Sequence, residues 1–231
     1  MDDLSIVIPC YEEDHADLKQ MVSSLKSLNC EVIVVDDGSQ YPYPEAVKHG
    51  ANFGYGSALM TGIKNATRPI IMTIDGDGQH TVGEVIRLYE AYKLMERPDM
   101  LIGVRTIKKE NLIRYLGRKF LNWTASLICM HWLPDLNSGA RIFKRDVSIG
   151  YFPILCRRFS FTTSITMCMM LDGYSVQFFP IKVENRTHGK SRVNVIRDGW
   201  VTLYYILKLG FAIRTRGVRA WLRSFRSLRS I

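Results

Sequence analysis

The first hundred residues alternate short apolar runs with stretches of helical periodicity. Leu4–Pro9, Glu31–Asp37, Ile70–Asp75 and Met100–Val104 read as strands, and their continuous Val, Ile and Leu content marks strands covered on both faces. Between them, Asp14–Leu28, Tyr55–Ala66 and Val82–Leu94 place apolar residues at helical spacing. The alternation predicts an α/β domain whose mostly parallel sheet is flanked by helices. Ligands of such sheets bind beyond the carboxyl ends of the strands. Three runs end there in polar or turn residues: Pro9-Cys10-Tyr11-Glu12-Glu13, Asp36-Asp37-Gly38-Ser39 and Asp75-Gly76-Asp77-Gly78. These ends are expected to converge on one crevice.

After residue 105 the pattern loosens. Leu112–Met130 reads as an apolar and basic helix, Arg141–Lys144 as a short strand, Ser160–Leu171 as a helix and Val176–Val183 as a strand. Asp198–Ile213 is mostly apolar and aromatic, interrupted by Lys208 and Gly210. Its uninterrupted run is too short to span a bilayer, which takes about 20 apolar residues, and suits a helix lying in the membrane interface.

Charge sharpens that picture. The net charge is +9, yet from Tyr205 onward there are one lysine, six arginines and no acid, so this end carries +7 and the preceding residues only +2. A basic end on a nearly neutral domain seeks anionic surfaces. The division expected is a catalytic domain over 1–195 and, over 196–231, a C-terminal amphipathic helix with a basic membrane-surface tail. A nucleic-acid partner is set aside, because the rest of the domain is neutral and carries no recognised motif.

Composition adds little beyond ordinary globularity: 231 residues, 47% hydrophobic and 23% charged, enough for a sizeable core. The five cysteines are scattered and form no CxxC, which argues for a reduced compartment and against a disulfide framework or zinc site. Met1-Asp2-Asp3 lacks the basic region of a signal peptide, so a cytoplasmic protein, peripheral on the inner face of the membrane, is expected.

The sharpest chemical signal is Asp75-Gly76-Asp77-Gly78-Gln79-His80 at a strand end. Two carboxylates separated by glycine can turn into one pocket, and hard oxygen donors suit Mg²⁺ or Mn²⁺ held jointly with substrate phosphates. Asp36 and Asp37 can accept hydrogen bonds from a base edge or ribose hydroxyls. Asn52-Phe-Gly54-Tyr-Gly56 opens a helix, but position 59 is Leu, so this is not the G-x-G-x-x-G of a dinucleotide fold.

In combination and order, these elements resemble the family-2 inverting glycosyltransferases. The second half resembles their dolichyl-phosphate mannose synthase-like branch, through Gly103-Val-Arg105, Arg114 with Arg118, Asp135-Leu-Asn-Ser138-Gly139-Ala-Arg141 and Arg186-Thr-His-Gly189-Lys190-Ser191-Arg192. Glu12, Val104 and Arg192 depart from the usual Asn, Ser and Lys. The resemblance implies a GT-A fold and a nucleotide-sugar donor, GDP-mannose or a UDP-hexose. It implies that Pro9, Tyr11, Glu13 and Asp37 hold base and ribose, and that Asp75, Asp77 and Gln79 hold the metal bridging the diphosphate. Arg186, Lys190, Ser191 and Arg192 would form a basic loop closing over the donor. Asp77, Arg186 and Asp135 are the catalytic candidates.

The acceptor implied is a polyprenyl phosphate. A phosphate monoester, with a second pKa of about 6, is already mostly dianionic at neutral pH and needs cations more than a base. Arg105, Arg114 and Arg118, with Ser138, are the candidates to hold it, since guanidinium recognises phosphate in bidentate fashion. Asp135 stands where relatives with hydroxyl acceptors keep a catalytic base, which leaves a glycan or lipid hydroxyl as the alternative acceptor. A processive polymer synthase is disfavoured because no Gln-x-x-Arg-Trp occurs. A nucleotidyltransferase fits the Asp36–Ser39 and Gly189–Ser191 elements poorly. A small membrane-anchoring subunit or a homo-oligomer is a further expected partner.

Overall fold

The computed structural model describes residues 1–106, 112–184 and 195–216, with only the backbone at 195 and 213–216. Its elements are β1 (Leu4–Cys10), α1 (His15–Lys26), β2 (Glu31–Asp36), β3 (Val47–Lys48), α2 (Tyr55–Asn65), β4 (Ile70–Thr73), α3 (Val82–Leu94), β5 (Met100–Arg105), α4 (Leu112–Cys129), β6 (Arg141–Lys144), α5 (Arg145–Ile149), α6 (Phe161–Leu171), β7 (Val176–Ile181) and α7 (Val195–Arg216). The strands form one sheet in the order β3-β2-β1-β4-β6-β5-β7.

Successive strand side chains point to opposite faces, and here both faces are covered. Ile6 and Ile8 of β1, Met72 of β4 and Leu101 of β5 pack with Leu18 and Val22 of α1 and Leu88 and Tyr92 of α3. Their neighbours Val7, Ile71, Met100 and Ile102 pack on the other side with Leu59 and Ile63 of α2 and with α6. This double burial is why the strands read as unbroken apolar runs.

The helix starts obey local chemistry. Asp14 caps α1 by accepting from the Ala16 and Asp17 amides, and Thr81 caps α3 from the Glu84 amide. α2 has no cap of its own: it begins at Gly54, whose φ of 103° only glycine adopts readily, and where a Cβ would lie 2.6 Å from the Arg157 carbonyl.

Three features went beyond sequence expectation. β3 and α5 are short elements with no strong pattern, formed where the chain meets β2 and leaves β6. β6 runs antiparallel to both its neighbours, β4 and β5, in the middle of an otherwise parallel sheet. α7, which begins at the boundary expected between domain and tail, sends Ile206 and Leu209 into the main core alongside α6. Among the described residues no helix is long and apolar enough to cross a membrane.

Candidate active site

The antiparallel β6 assembles the site. Register pairs Thr73 at the end of β4, and Ile102 near the end of β5, with Arg141 at the start of β6. The segment entering β6, Asp135–Ala140, therefore reaches the same sheet edge as the segments leaving β1, β2, β4 and β5. Thr73 Oγ1 donates to the Gly139 carbonyl at 2.6 Å, which fastens this segment beside Asp75.

Asp75 is held on several sides. Tyr55, entering α2, donates its hydroxyl to Asp75 Oδ1 at 2.8 Å. His80 Nε2 lies 3.9 Å from Oδ2, too far for a direct hydrogen bond but close enough for electrostatic contact. Gly139 presses on the carboxylate so closely that a Cβ there would collide with both oxygens. Burial works against ionisation of Asp75, but His80, the Tyr55 hydroxyl and the Arg105 charge outweigh it, and its pKa lies below the ordinary carboxylate value. Asp77 comes next in the same turn, buried, accepting the Gln79 amide at 3.2 Å. Gln79 binds the far wall of the turn, its side chain donating to the Glu184 carbonyl at 3.1 Å.

Asp75 and Asp77 are two hard oxygen donors in one turn, the first ionised and still 27% exposed at its side chain. Among the described residues no group of three or more His, Cys, Asp or Glu could hold a metal by itself. The fit is therefore to Mg²⁺ or Mn²⁺ bound by few carboxylates and completed by phosphate oxygens and water.

The carboxylates at the end of β2 are occupied otherwise. Asp36 accepts from the Ser39 and Tyr43 amides at 2.8 and 3.0 Å. Asp37, expected to contact the nucleoside, accepts from the Phe53 and Gly54 amides at 3.0 and 2.7 Å and from His49 Nδ1 at 2.7 Å. Asp37 thus supplies the missing cap of α2 and ties three segments together. Pro9 is buried at the end of β1 behind Gly76, while Tyr11 and Glu13 stay half-exposed just beyond it. Glu12 adopts a φ of 53°, its amide donating to Ser39 Oγ and its carboxylate accepting from the Gln40 amide. That left-handed conformation suits Asn better than Glu.

On the other side of Asp75, Arg105 and Asp135 form a bidentate ion pair, Nε to Oδ2 at 2.9 Å and Nη2 to Oδ1 at 3.0 Å. Burial opposes charge on both, and each overcomes it for the other: Asp135 is held below the ordinary carboxylate range and Arg105 above its usual value. Ser138 is fully buried, and its hydroxyl meets no hydrogen-bond partner among the described residues. Arg114 is exposed and Arg118 half-buried on α4, the latter with its guanidinium 5.7 Å from the Tyr115 ring centre. Arg186, Lys190, Ser191 and Arg192 lie outside the described residues, as does most of the basic tail.

Sequence reasoning gave no role to Tyr55, His80, Gly139 or Arg141. Arg141 is the largest fully buried side chain among the described residues. It donates to the Ser138, Thr162 and Leu136 carbonyls at 2.7, 2.9 and 2.5 Å and to Thr166 Oγ1 at 2.5 Å, and so shapes the segment that carries Asp135 and Gly139. Burial pulls its pKa down to about 10, which leaves it protonated at neutral pH. The signal for Tyr55 lay in its place between Gly54 and Gly56.

Comparison with known proteins agrees with this architecture. An uncharacterized protein of Methanocaldococcus jannaschii is 29% identical over 229 residues, covering 89% of this chain and 91% of its own length. The UDP-N-acetylglucosamine–dolichyl-phosphate N-acetylglucosaminyltransferase of Methanococcus voltae is 23% identical over 88% of this chain and 94% of its own. An undecaprenyl-phosphate 4-deoxy-4-formamido-L-arabinose transferase of Aeromonas hydrophila is 27% identical over 84% of this chain, which spans 63% of that longer protein. Among solved structures, glucosyl-3-phosphoglycerate synthase of Mycobacterium tuberculosis, in complex with Mn²⁺, uridine diphosphate and phosphoglyceric acid, superimposes with a TM-score of 0.72 at 14% identity, over 90% of this chain and 78% of that one. The sheet with its inserted antiparallel strand is thus a GT-A fold. The family model for glycosyl transferase family 2 matches residues 5–152, from β1 past β6 and across the strand ends that carry Asp75, Arg105 and Asp135, and this chain belongs to that family of glycosyltransferases.

Proposed function

We propose that this glycosyltransferase moves a hexose from a nucleoside-diphosphate sugar, GDP-mannose or a UDP-hexose, to a polyprenyl phosphate. It would do so in the manner of the dolichyl-phosphate mannose synthase-like branch, peripherally at the cytosolic face of a membrane. The observation that carries this reading is the ion pair between Arg105 and Asp135. A carboxylate locked in a bidentate pair and held below its ordinary pKa is a poor general base. A phosphate dianion needs no base: its oxygen attacks the anomeric carbon while the bond to the donor diphosphate breaks, and no proton has to leave. Asp135 then acts by orienting Arg105 toward the phosphate. The relatives named for dolichyl- and undecaprenyl-phosphate acceptors support the same chemistry.

Asp75 and Asp77 would hold a divalent cation that, when bound, neutralises the charge gathering on the leaving diphosphate. His80, Tyr55 and the Arg105 charge favour the ionised form of Asp75, and the close approach of Gly139 restricts its position.

Steady-state kinetics with radiolabelled nucleotide sugars and a polyprenyl phosphate test the acceptor. Arg105→Ala should raise the acceptor KM and lower kcat/KM. Asp135→Asn should give a milder form of the same defect, with the acid limb of the pH–rate profile unmoved. The folded pKa of Asp135 is lowered, so the pair contributes stability at neutral pH and loses it only as pH falls below about 4. A hydroxyl acceptor predicts the reverse: Asp135→Asn would then cost about 10²–10⁴-fold in kcat, with an acid limb abolished, and Arg105→Ala would matter little.

A further inference from the structure

The segment between α5 and α6 holds an aromatic ring out of the core. Cys156, Ser160 and Phe161 are buried, whereas Phe159 is 36% exposed. A single exposed aromatic is ordinary on a protein surface, and its interest here lies in what surrounds it. One face of the Phe159 ring lies on Tyr55, with the planes 15° apart and the centres 5.6 Å apart. The backbone on either side is fixed. The Arg157 carbonyl accepts the Ser57 amide at 2.9 Å, and neither Gly54 nor Gly56 has room for a Cβ against the Arg157 and Cys156 carbonyls. Ser160 Oγ shares a buried hydrogen bond of 2.8 Å with Thr202 Oγ1 of α7. The outer face of Phe159 is therefore presented by a rigid frame.

That frame bridges the two sides of the site. Tyr55, under the Phe159 ring, donates to Asp75 at 2.8 Å. Four residues past Phe159, Thr163 Oγ1 donates to Asn137 Oδ1 at 3.3 Å, and the Asn137 amide donates to Asp135 Oδ1 at 3.2 Å. The segment carrying Phe159 thus links the carboxylate suited to a metal with the carboxylate paired with Arg105. The transferred sugar has to occupy the interval between those two groups. Its anomeric carbon must face the leaving diphosphate on one side and the attacking oxygen on the other. A pyranose ring carries C–H bonds on its face and hydroxyls at its rim. The electron-rich face of an aromatic ring attracts such C–H bonds and leaves the rim free for hydrogen bonds.

We propose that Phe159 is the stacking platform for the donor hexose and a specificity-determining residue of the transfer. The sugar seats its C–H face on the outer face of the ring, with the nucleoside diphosphate toward Asp75 and the anomeric carbon toward Arg105. Tyr55 then has two tasks: its hydroxyl holds Asp75 and its ring supports the platform. The platform adds affinity for a nucleotide sugar that the free nucleoside diphosphate does not share. The inference rests on a nucleoside-diphosphate hexose as donor and holds whichever acceptor is used.

Isothermal titration of the full chain in Mn²⁺, with UDP-glucose against UDP and GDP-mannose against GDP, isolates the sugar's share of binding. Phe159→Leu keeps an apolar side chain and loses the ring. It should weaken the nucleotide sugar by about fivefold to tenfold and leave the matching diphosphate within about twofold. Phe159→Trp should restore the parent's affinity. In saturation-transfer NMR on the unaltered protein, irradiating aromatic protons should reach the C–H protons of the bound hexose, and Phe159→Leu should weaken that signal. Equal weakening of nucleotide sugar and diphosphate, with a raised Mn²⁺ requirement, would overturn the platform and leave Phe159 as a brace for Tyr55. So would unchanged binding of both by a Phe159→Leu protein with the parent's urea midpoint. Should that variant fail to fold, saturation transfer on the unaltered protein decides, and its absence from the hexose C–H protons overturns the proposal. Binding of neither nucleotide sugar by the unaltered protein would overturn the donor reading itself, and the platform with it.

Discussion

The ends of β2 and β4 look alike in sequence, each a buried strand running into two aspartates and a glycine, and they do opposite things. Asp36 and Asp37 spend their oxygens on backbone amides from Ser39, Tyr43, Phe53 and Gly54. They hold the loops that follow β2 and lead into α2. Asp75 accepts no backbone amide among the bonds described above: the Tyr55 hydroxyl donates to it, His80 stands 3.9 Å away and Gly139 presses on it, whereas Asp37 adds the His49 imidazole at 2.7 Å to its two amides. A carboxylate that accepts several backbone amides braces the chain around it, and one that accepts few keeps oxygens for a ligand. The groups that surround a strand-end aspartate in three dimensions decide which of the two it becomes.

The largest effect should separate the two ends most sharply. Asp75→Ala or Asp77→Ala should lower transfer by about a thousandfold, since several kcal/mol of charge stabilisation would be lost. The urea midpoint should stay near that of the parent. EDTA should reproduce the loss, with Mn²⁺ or Mg²⁺ restoring activity; full transfer in EDTA would remove Asp75 and Asp77 from the reactive class.

Arg141 is a buried cation that behaves like the β2 carboxylates, spent wholly on carbonyls and a hydroxyl. Arg141→Met should cost about 3 kcal/mol or more in urea denaturation, because the buried Ser138 and Leu136 carbonyls lose the guanidinium, while the Thr162 carbonyl keeps the Thr166 hydroxyl as a side-chain donor. A variant that is stable yet inactive would place Arg141 in the chemistry instead.

Asp37→Asn should cost about 2 kcal/mol in unfolding free energy, the size of losing charge-assisted bonds to buried amides. Its donor KM should change less than its stability. If calorimetry finds donor affinity collapsing in a fully stable Asp37→Asn protein, the brace assignment fails and the carboxylate belongs to the nucleoside.

Tyr55→Phe removes the hydroxyl that aims Asp75 and nothing else of the ring, which still stacks near Phe159 at 5.6 Å. The Mn²⁺ concentration for half-maximal binding of uridine diphosphate should rise by about tenfold, read by isothermal titration, with metal-free nucleotide affinity unchanged. An unchanged metal dependence would reduce Tyr55 to packing. The smallest change is Glu12→Asn, which relieves a left-handed glutamate on the nucleotide side and should raise stability by about 0.5 kcal/mol or less, read as a small rise in Tm.

Much of the N-terminal half was legible because it is built from local units. Each strand of the β1, β2 and β4 group carries its own apolar run, its own succeeding helix and its own polar end, and parallel pairing sends all three ends to one edge. The period of the pattern and the turn residues suffice to reach that far. The paired carboxylates at Asp75 and Asp77 stood out in the same way, as did the apolar and aromatic character of α7.

The other half depends on contacts the linear pattern does not contain. Four residues of β6 carry no sign of their direction, yet their antiparallel course brings Asp135 and Gly139 to Asp75 and Arg105. That α4 turns Phe120 and Trp123, and α7 Trp200 and Phe211, toward solvent is likewise invisible in a hydrophobic periodicity that reads the same whichever face is buried. Sequence by itself determined the α/β layering, the shared edge of the parallel strand ends and the pairing of Asp75 with Asp77 in one turn, since strand and helix periods and turn chemistry are local properties. Only tertiary structure decided that Asp37 receives the Phe53 and Gly54 amides, that Asp135 pairs with Arg105, that Tyr55 donates to Asp75 and that two helices expose apolar faces. Each of these depends on which distant partner arrives at a given oxygen or helix face, and chain packing alone determines that.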